Sequence, residues 1–305
     1  MKRFFVLLFA LLIYCSATSQ DFLRTVVAKK GDGIFSILRK EGLNPSKYYA
    51  AFISLNEANI KNGSELHLGR IYKIPTASDS FIEKGRIVNV SDGAEKALYD
   101  EELNKISLKS DNLSNAVYYL VAEEKTSKSS YCSTIVSELA YSFLVNGAQV
   151  YIIKSDSVAT SENEKFRFQE YAGIVNKRYL KHHGKYQRLL IVRSKEEITN
   201  KRLNVTISHH GKSEEGQKFA EHIQSIIGNS TSRKGSIENL SGIFEDGNDL
   251  FLAKNALPAI SVIDISTGIK KVKQESFSIY SDKKTFATWI RKGMLNDYAE
   301  LNLEE

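Results

Sequence analysis

The order of apolar and polar residues predicts a small unit near the start of the chain. Thr25–Ala28 and Arg70–Ile74 are β-branched runs typical of strands. Between them, apolar residues from Ile34 onward recur at helical spacing and stop before Gly42, a residue typical of helix ends. A second helix begins at Pro45, where the missing N–H of proline costs nothing. The pattern therefore predicts two strands that bracket two helices.

A different pattern begins near residue 115, where short apolar runs alternate with helical periodicity. Continuous apolar runs are typical of strands buried in a parallel sheet, and strand–helix–strand order implies right-handed crossovers. The predicted strands are Ala116–Val121, Gln149–Ile153, Arg188–Val192, Leu203–Ser208 and Ala259–Ile265, and the predicted helices lie within 135–144, 164–179, 215–227 and 285–301. The fold class is therefore α/β, with a small βααβ module followed by a larger α/β sandwich around a mostly parallel sheet.

The remaining segments complete the predicted domain plan. Residues 1–19 have the charged start and short apolar run of a secretory signal peptide, with cleavage between Ser19 and Gln20. Lipoprotein processing at Cys15 is the alternative. The small module then occupies residues 24–76, a polar linker follows over 77–114, and the larger domain covers 115–305. We expect an exported protein of the periplasm or cell surface, with no transmembrane segment after signal removal.

Composition fits a globular protein of about two domains. The chain has 305 residues, 42% of them hydrophobic, and a net charge of +6. Without Lys2 and Arg3 it keeps 40 basic and 36 acidic residues, or +4. These charges are interspersed, so the sequence lacks the basic stripe that nucleic-acid binding requires, while anionic wall polymers remain compatible partners. With Cys15 removed, Cys132 stands alone and is predicted to be a buried, inert thiol.

Residues 24–76 resemble the LysM module. The resemblance rests on the first strand with KKGD, on the two helices ending at Leu55-Asn56, and on the closing run LGRIYKIP. Gly33 stands where that family usually has Thr or Ser, and the segment between Asn56 and Leu68 is longer than usual. The family binds N-acetylglucosamine-containing glycans of peptidoglycan or chitin. The resemblance therefore implies peptidoglycan as the partner of this module.

Two loops beside the helices are the predicted glycan site. Their glycines let the backbone approach a sugar, their polar side chains can bond acetamido and hydroxyl groups, and their isoleucines can pack against an N-acetyl methyl group. Asp32 is also placed to cap the first helix. The candidate ligand-binding residues are Gly31, Asp32, Gly33, Ile34, Asn56, Ala58, Asn59 and Ile60.

The larger domain resembles the zinc-dependent N-acetylmuramoyl-L-alanine amidases. Leu139–Val150 and the strand after it look like a helix–strand segment of that family. Leu257–Asp264 looks like its late strand, which carries a catalytic glutamate. The resemblance implies a zinc site with histidine ligands and a catalytic glutamate, for which Asp264 is the positional candidate. However, the chain reads Val121-Ala122-Glu123-Glu124 where the first histidine is expected.

Two functions from different classes follow. The first is a peptidoglycan-binding protein whose larger domain serves as a scaffold or regulatory piece, without a cofactor. The second is an active amidase with an atypical zinc site. The weak candidates for that site are His209 and His210 as metal ligands, with Glu123, Glu124 or Asp264 as catalytic carboxylates.

Overall fold

The protein is described by a computed structural model that covers residues 23–99, 102–124, 130–155, 164–194, 196–198, 202–230, 241–267, 277–280 and 282–301. The chain forms two compact units, which divide between Ser78 and Asp79. The predicted signal peptide, its cleavage site and Cys15 lie outside the described residues. Among the helices of these ranges, none has the length and hydrophobicity needed to cross a membrane.

The first unit has the predicted order of strand, two helices and strand. Its elements are β1 (Thr25–Val27), α1 (Ile34–Lys40), α2 (Pro45–Asn56) and β2 (Ile71–Lys73), and the two strands pair antiparallel. Gly42 adopts a φ of 71° after the end of α1. The Oδ1 atom of Asn44 accepts a hydrogen bond from the Ser46 N–H at 3.0 Å and caps α2. Both helix boundaries are therefore those that the sequence predicted.

The core of the first unit lies between the helices and the inner face of the two strands. Its fully buried members include Ile37, Leu38, Phe52 and Tyr72. The rings of Phe52 and Tyr72 stack with centroids 6.0 Å apart. The Tyr72 hydroxyl accepts from the His67 N–H and donates to the Asn59 carbonyl, which ties the long segment before β2 to the core.

The second unit is a three-layer α/β fold with helices on both faces of a nine-stranded sheet. Five strands at its centre are parallel, which confirms the predicted mostly parallel α/β class. The elements in chain order are α3 (Phe81–Lys84), β3 (Gly85–Asn89), β4 (Glu95–Ala97), β5 (Ala116–Glu124), α4 (Tyr131–Leu144), β6 (Gln149–Lys154), α5 (Glu164–Lys181), β7 (Tyr186–Ser194), β8 (Arg202–His209), α6 (Glu214–Ser230), β9 (Ser241–Ile243), α7 (Gly247–Asn255), β10 (Ala259–Ser266), β11 (Phe277–Tyr280) and α8 (Lys283–Leu301).

The strands follow the order β11-β8-β10-β7-β5-β6-β3-β4, with β9 beside β8. The parallel strands are β10, β7, β5, β6 and β3, and β8 pairs antiparallel with β10. Helices α4, α6 and α8 cover one face, and α5 and α7 cover the other. In open α/β sheets, functional sites lie beyond the carboxyl ends of the parallel strands. That edge carries the charged residues described below.

The structure corrects the predicted linker. β3 lies within residues 77–114 and pairs parallel with β6, while β4 pairs with β3. Residues Phe81, Ile82, Leu103, Ile106 and Leu113 are buried in the core below α4. The polar composition of 77–114 concealed these strands because both are short and contain few apolar residues, Ile87 and Val88 in β3 and Ala97 in β4.

Candidate functional site

The first candidate loop follows β1 as a tight turn. Asp32 N–H donates to the Lys29 carbonyl at 3.0 Å, and Gly31 adopts a φ of 90°, which favours glycine. Gly31 and Gly33 are exposed, and a Cβ on either would meet no atom within 4 Å. The loop therefore leaves open space above its backbone, as the glycan hypothesis requires.

Asp32 serves the framework of this loop. Its carboxylate accepts from the Lys29 N–H at 2.9 Å and from the Ser36 hydroxyl at 3.3 Å, and it forms an ion pair with Lys40. Burial raises the pKa of Asp32, but these partners outweigh burial and lower it below its usual value. The helix cap is Gly33, whose N–H donates to the Ser36 hydroxyl. The predicted capping role of Asp32 is therefore wrong, and its oxygens are committed within the chain.

Asn56 is also a framework residue, and its predicted role as a sugar ligand is wrong. Its side chain is 2% exposed. The amide donates to the carbonyls of Phe52 and Lys73, at 2.9 and 2.8 Å, and accepts from the Lys73 N–H at 2.7 Å. These bonds join the end of α2 to β2. Ile34 is likewise buried in the core of the unit, so it cannot pack against a ligand.

The second candidate loop keeps three residues near the surface. Ala58 is exposed, and Asn59 and Ile60 are half-buried. Arg70 connects this loop to the first: its guanidinium donates to Asn59 Oδ1 at 3.2 Å, and its carbonyl accepts from the N–H of Ala28, just before the glycine turn, at 3.0 Å. Both loops therefore border the same end of the two-stranded sheet.

Sequence reasoning missed two exposed side chains near these loops. Arg70 was assigned only to a strand, and Phe35 only to a helix. Phe35 is 47% exposed, and its ring lies 5.3 Å from that of Tyr49. Helical periodicity could have identified Phe35 as an exposed apolar residue, because it follows the buried Ile34 and faces outward. The hydrogen bond between Arg70 and Asn59, in contrast, depends on tertiary structure.

In the second unit, three charged residues form one row across the carboxyl ends of the central strands. Glu123 of β5 lies beside Arg193 of β7, and Arg193 lies beside Asp264 of β10. Strand alternation places all three on the face covered by α5 and α7. The row therefore contains two of the predicted catalytic carboxylates, with an arginine between them.

Arg193 is bound by carboxylates on two sides. Its Nε and Nη2 atoms donate to Asp264 at 2.7 and 2.9 Å, and Nη1 and Nη2 each donate to Asp249 at 2.9 Å. Glu164 adds an ion pair at 3.6 Å. Burial lowers the pKa of Arg193, but the bonds to Asp264 and Asp249 outweigh it and raise that pKa. Arg193 therefore carries a permanent positive charge at this edge.

The two neighbouring glutamates are used differently. Glu123 accepts from Arg167 Nε at 2.7 Å, and both side chains are buried. Glu124 faces the opposite side of the sheet, where its carboxylate accepts from the N–H groups of Cys132 and Ser133 at 2.7 and 3.4 Å. Glu124 therefore accepts hydrogen bonds from the free backbone N–H groups at the N-terminus of α4, where a helix favours negative charge.

His209 and His210 lie far from these carboxylates. His209 is paired with Ser261, three residues before Asp264 on β10, which separates their rows by roughly 10 Å. Strand alternation also places His209 on the other face of the sheet from Asp264. His210 lines a cavity of about 430 Å³ with Tyr179, Ser213 and Leu257. The predicted combination of these histidines with Asp264 or Glu123 is therefore wrong.

Zinc does not fit the residues of the carboxyl edge. No group of three histidine, cysteine, aspartate or glutamate side chains is placed to hold a metal ion within the part of the chain that the structure describes. The central position of the row holds a guanidinium group, which donates hydrogen bonds and cannot coordinate a cation. The side chains around this guanidinium are carboxylates, which would offer only oxygen ligands to a metal, whereas structural and catalytic zinc sites are rich in histidine and cysteine.

Two further sequence predictions concern single residues. Cys132 is buried, and burial raises the pKa of its thiol, which agrees with an inert cysteine. The basic composition of residues 177–185 predicts an exposed connection, and for His182 this prediction is wrong. Its side chain is half-buried, with Nε2 2.8 Å from the Tyr151 hydroxyl. Burial, and then the charges of Lys185 and Lys181, lower the pKa of His182 to about 4.

Comparisons with known proteins give similarity to solved structures, at low sequence identity. No protein-family model matches the chain, and no curated protein matches it. Among solved structures, the chain is similar to the CwlD amidase from Clostridioides difficile, in its complex with the GerS lipoprotein. The TM-score is 0.39 and the identity 12%, over 60% of this chain and 98% of that chain. At this TM-score the similarity assigns neither a fold family nor an activity.

Proposed function

We propose that the chain is an exported cell-envelope protein that binds the N-acetylglucosamine-containing glycan of peptidoglycan through its first unit. The observation that carries this proposal is the position of the two loops. Arg70 joins them at one end of a compact βααβ unit, and Gly31, Gly33 and Ala58 leave their backbone accessible. An exposed site of this kind buries little area, so we expect weak binding by a single module.

The proposed glycan site is narrower than the predicted one. Asp32, Ile34 and Asn56 hold the loops in place, and the residues left to contact sugar are Gly31, Gly33, Ala58, Asn59 and Ile60, with Arg70 added. Backbone groups at the glycines and the Asn59 amide supply hydrogen bonds. Ile60 supplies the apolar contact for an N-acetyl methyl group.

For the second unit we propose a scaffold or regulatory role. Its support is the pairing of the carboxylates at the functional edge of the sheet, where Arg193 binds Asp264 and Arg167 binds Glu123. A hydrolytic carboxylate must be free to accept or deliver a proton near the substrate. A zinc amidase with atypical ligands is the competing proposal. Stoichiometric zinc in the purified full chain, together with peptide release from peptidoglycan, would establish it.

The glycan proposal is tested by cosedimentation of the mature chain with insoluble peptidoglycan. Gly33 has an ordinary φ of −119° and open space around it, so Gly33→Gln leaves the fold intact while its side chain occupies the space where the sugar would lie. We expect the affinity to fall about tenfold, or ~1.4 kcal/mol. Ala50→Gln, an exposed position on α2, is the matched control and keeps full binding. Equal sedimentation of both variants, or none for the unsubstituted chain, contradicts the proposal.

A further inference from the structure

The outer edge of β1 offers backbone groups that no strand uses. The sheet of the first unit consists of β1 and β2, so within the described residues no strand pairs with the other side of β1. The Ala28 N–H donates to the Arg70 carbonyl at 3.0 Å, and the Arg24 carbonyl accepts from the residue after β2 at 2.8 Å. Because antiparallel strands bond through alternate residues, the N–H and C=O groups of Thr25 and Val27 point away from β2.

The edge of β2, in contrast, is covered by a side chain. The Asn56 amide donates to the Lys73 carbonyl at 2.8 Å and accepts from the Lys73 N–H at 2.7 Å, as a neighbouring strand would. Proteins usually protect a free edge with proline, charge or a bulge. The strand β1 contains neither proline nor charge, and its residues Thr25, Val26 and Val27 are all β-branched, the type that favours strands. The edge of β1 is therefore suited to further pairing.

Exposed apolar side chains lie beside this edge. Val27 is 48% exposed, and Ile71, its partner on β2, is 59% exposed. Both lie on the face of the sheet opposite to Tyr72, which is buried in the core. Exposed apolar residues alone are common on protein surfaces, but these two adjoin backbone groups that also need a partner. One extended strand beside β1 would bond the backbone groups and cover part of Val27.

A second copy of β1 fits this edge in one register. When the two strands run antiparallel about Val26, Thr25 of each copy lies opposite Val27 of the other. Both residues carry outward N–H and C=O groups, so each of these two pairs exchanges two hydrogen bonds. The side chains that meet are β-branched, which favours cross-strand packing. Arg24 lies opposite Ala28, so no two like charges face each other.

We propose that two copies of the chain associate through the outer edges of their β1 strands. The two sheets then form one four-stranded sheet with the order β2-β1-β1-β2, related by a twofold axis at Val26. Strands of three residues bury much less than the ~1,600 Å² of a standard stable interface, so we expect a weak, concentration-dependent dimer. The pairing uses only the backbone and side chains of β1, so it does not depend on whether the first unit binds glycan.

The test is sedimentation equilibrium of residues 20–305. We expect the weight-average mass to rise from that of one chain toward that of two between about 1 μM and 1 mM. Val27→Pro removes the outward N–H and keeps the bonds to β2, since an edge strand tolerates proline where its N–H faces solvent. The dimer contains this hydrogen bond twice, so we expect its Kd to rise at least about tenfold. Val27→Ile keeps the N–H and is the matched control, with an unchanged Kd.

Two cysteine variants test the register and decide the question if Val27→Pro does not fold. In this register the two Val26 residues form a pair without hydrogen bonds, with Cα atoms about 4.5 Å apart, which suits a disulfide. The two Val27 residues lie diagonally, beyond the limit of about 7 Å between Cα atoms. Mild oxidation should therefore cross-link Val26→Cys between copies and not Val27→Cys. Random collision gives the opposite order, because Val26 is half-buried and Val27 exposed. Cys132 is buried and does not compete.

Three results would each overturn the proposal. The first is a chain that stays monomeric over this whole concentration range. The second is equal association of Val27→Pro and Val27→Ile, and the third is cross-linking of Val27→Cys as efficient as that of Val26→Cys. Cosedimentation of the same proteins with peptidoglycan is a separate measurement, so a chain that dimerises but does not sediment contradicts only the proposed glycan binding.

Discussion

At the scale of single residues, some polar side chains near the candidate loops hold the fold together and others are accessible to a ligand. Asp32 and Asn56 have side chains that could bind a sugar, yet the polar groups of both form hydrogen bonds within the first unit. Composition alone cannot separate these roles, because an asparagine that ends a helix and one that binds a ligand look alike in sequence. The separation comes from burial, which leaves Asn56 2% exposed.

His182 makes the stability of the protein depend on pH. Its pKa is lowered from 6.5 to about 4, chiefly by burial. Burial raises the pKa of Tyr151 to about 12, so the tyrosine hydroxyl stays protonated and shares a hydrogen bond with the neutral ring. Between pH 6.5 and about pH 4, His182 is protonated in the unfolded chain but stays neutral in the folded chain. We therefore expect the free energy of unfolding to fall between pH 7 and pH 4.

Paired substitutions isolate this contribution. His182→Gln should flatten the fall in the free energy of unfolding between pH 7 and pH 4, measured by urea denaturation at several pH values. His183→Gln changes the exposed neighbour and should keep the slope of the unsubstituted chain. An unchanged slope in His182→Gln would show that other groups carry the dependence. The effect is modest because the ring is only half-buried.

At the scale of elements, two helical glycines predict opposite effects for one substitution. A Cβ on Gly293 of α8 would lie 2.4 Å from Ile223 Cα of α6, so the two helices cross at a distance that only glycine allows. Gly293→Ala must separate them, and we expect a loss of about 1–3 kcal/mol in unfolding free energy. Gly173 of α5 is exposed, and a Cβ there meets nothing within 4 Å.

Gly173→Ala is the matched control for Gly293→Ala. Alanine favours a helix interior by about 0.5–1 kcal/mol over glycine, so this variant should be more stable than the unsubstituted chain. Chemical denaturation of both variants measures the difference directly. Equal effects of the two substitutions would mean that α6 and α8 do not pack at the distance described.

The elements that the sequence predicted share one property. The strand β5 begins with the continuous apolar run Ala116–Val121 because both of its faces are covered there, and such a run stands out without any tertiary information. The missed elements are short or lie at an edge. β4 and β9 have three residues each, and β3 has five, of which only Ile87 and Val88 are apolar, so their patterns contain too few apolar positions to indicate a strand. α7 was missed because only Asp249 and Leu252 are buried within it.

At the scale of the whole molecule, the candidate site of the second unit depends on register between distant segments. Glu123, Arg193 and Asp264 are separated by about 70 residues each, and only the pairing of β5, β7 and β10 aligns them. The resemblance to the zinc amidases identified the two carboxylates as candidates. It could not identify Arg193 as their neighbour, because strand order is not encoded in any local pattern.

The boundary of the second unit gives the last prediction, which compares fragments 79–305 and 115–305. The shorter fragment lacks β3 and β4 and the five buried apolar side chains that residues 79–114 contribute to the core next to α4, from Phe81, Ile82, Leu103, Ile106 and Leu113. Each contributes roughly 1.5–3 kcal/mol, so their sum matches the whole stability of a typical domain, about 5–15 kcal/mol. We expect 79–305 to unfold cooperatively on heating, whereas 115–305, with the edge of β6 uncovered, aggregates or shows no transition. A cooperative transition of 115–305 at the same Tm would restore the predicted linker and remove residues 79–114 from the fold.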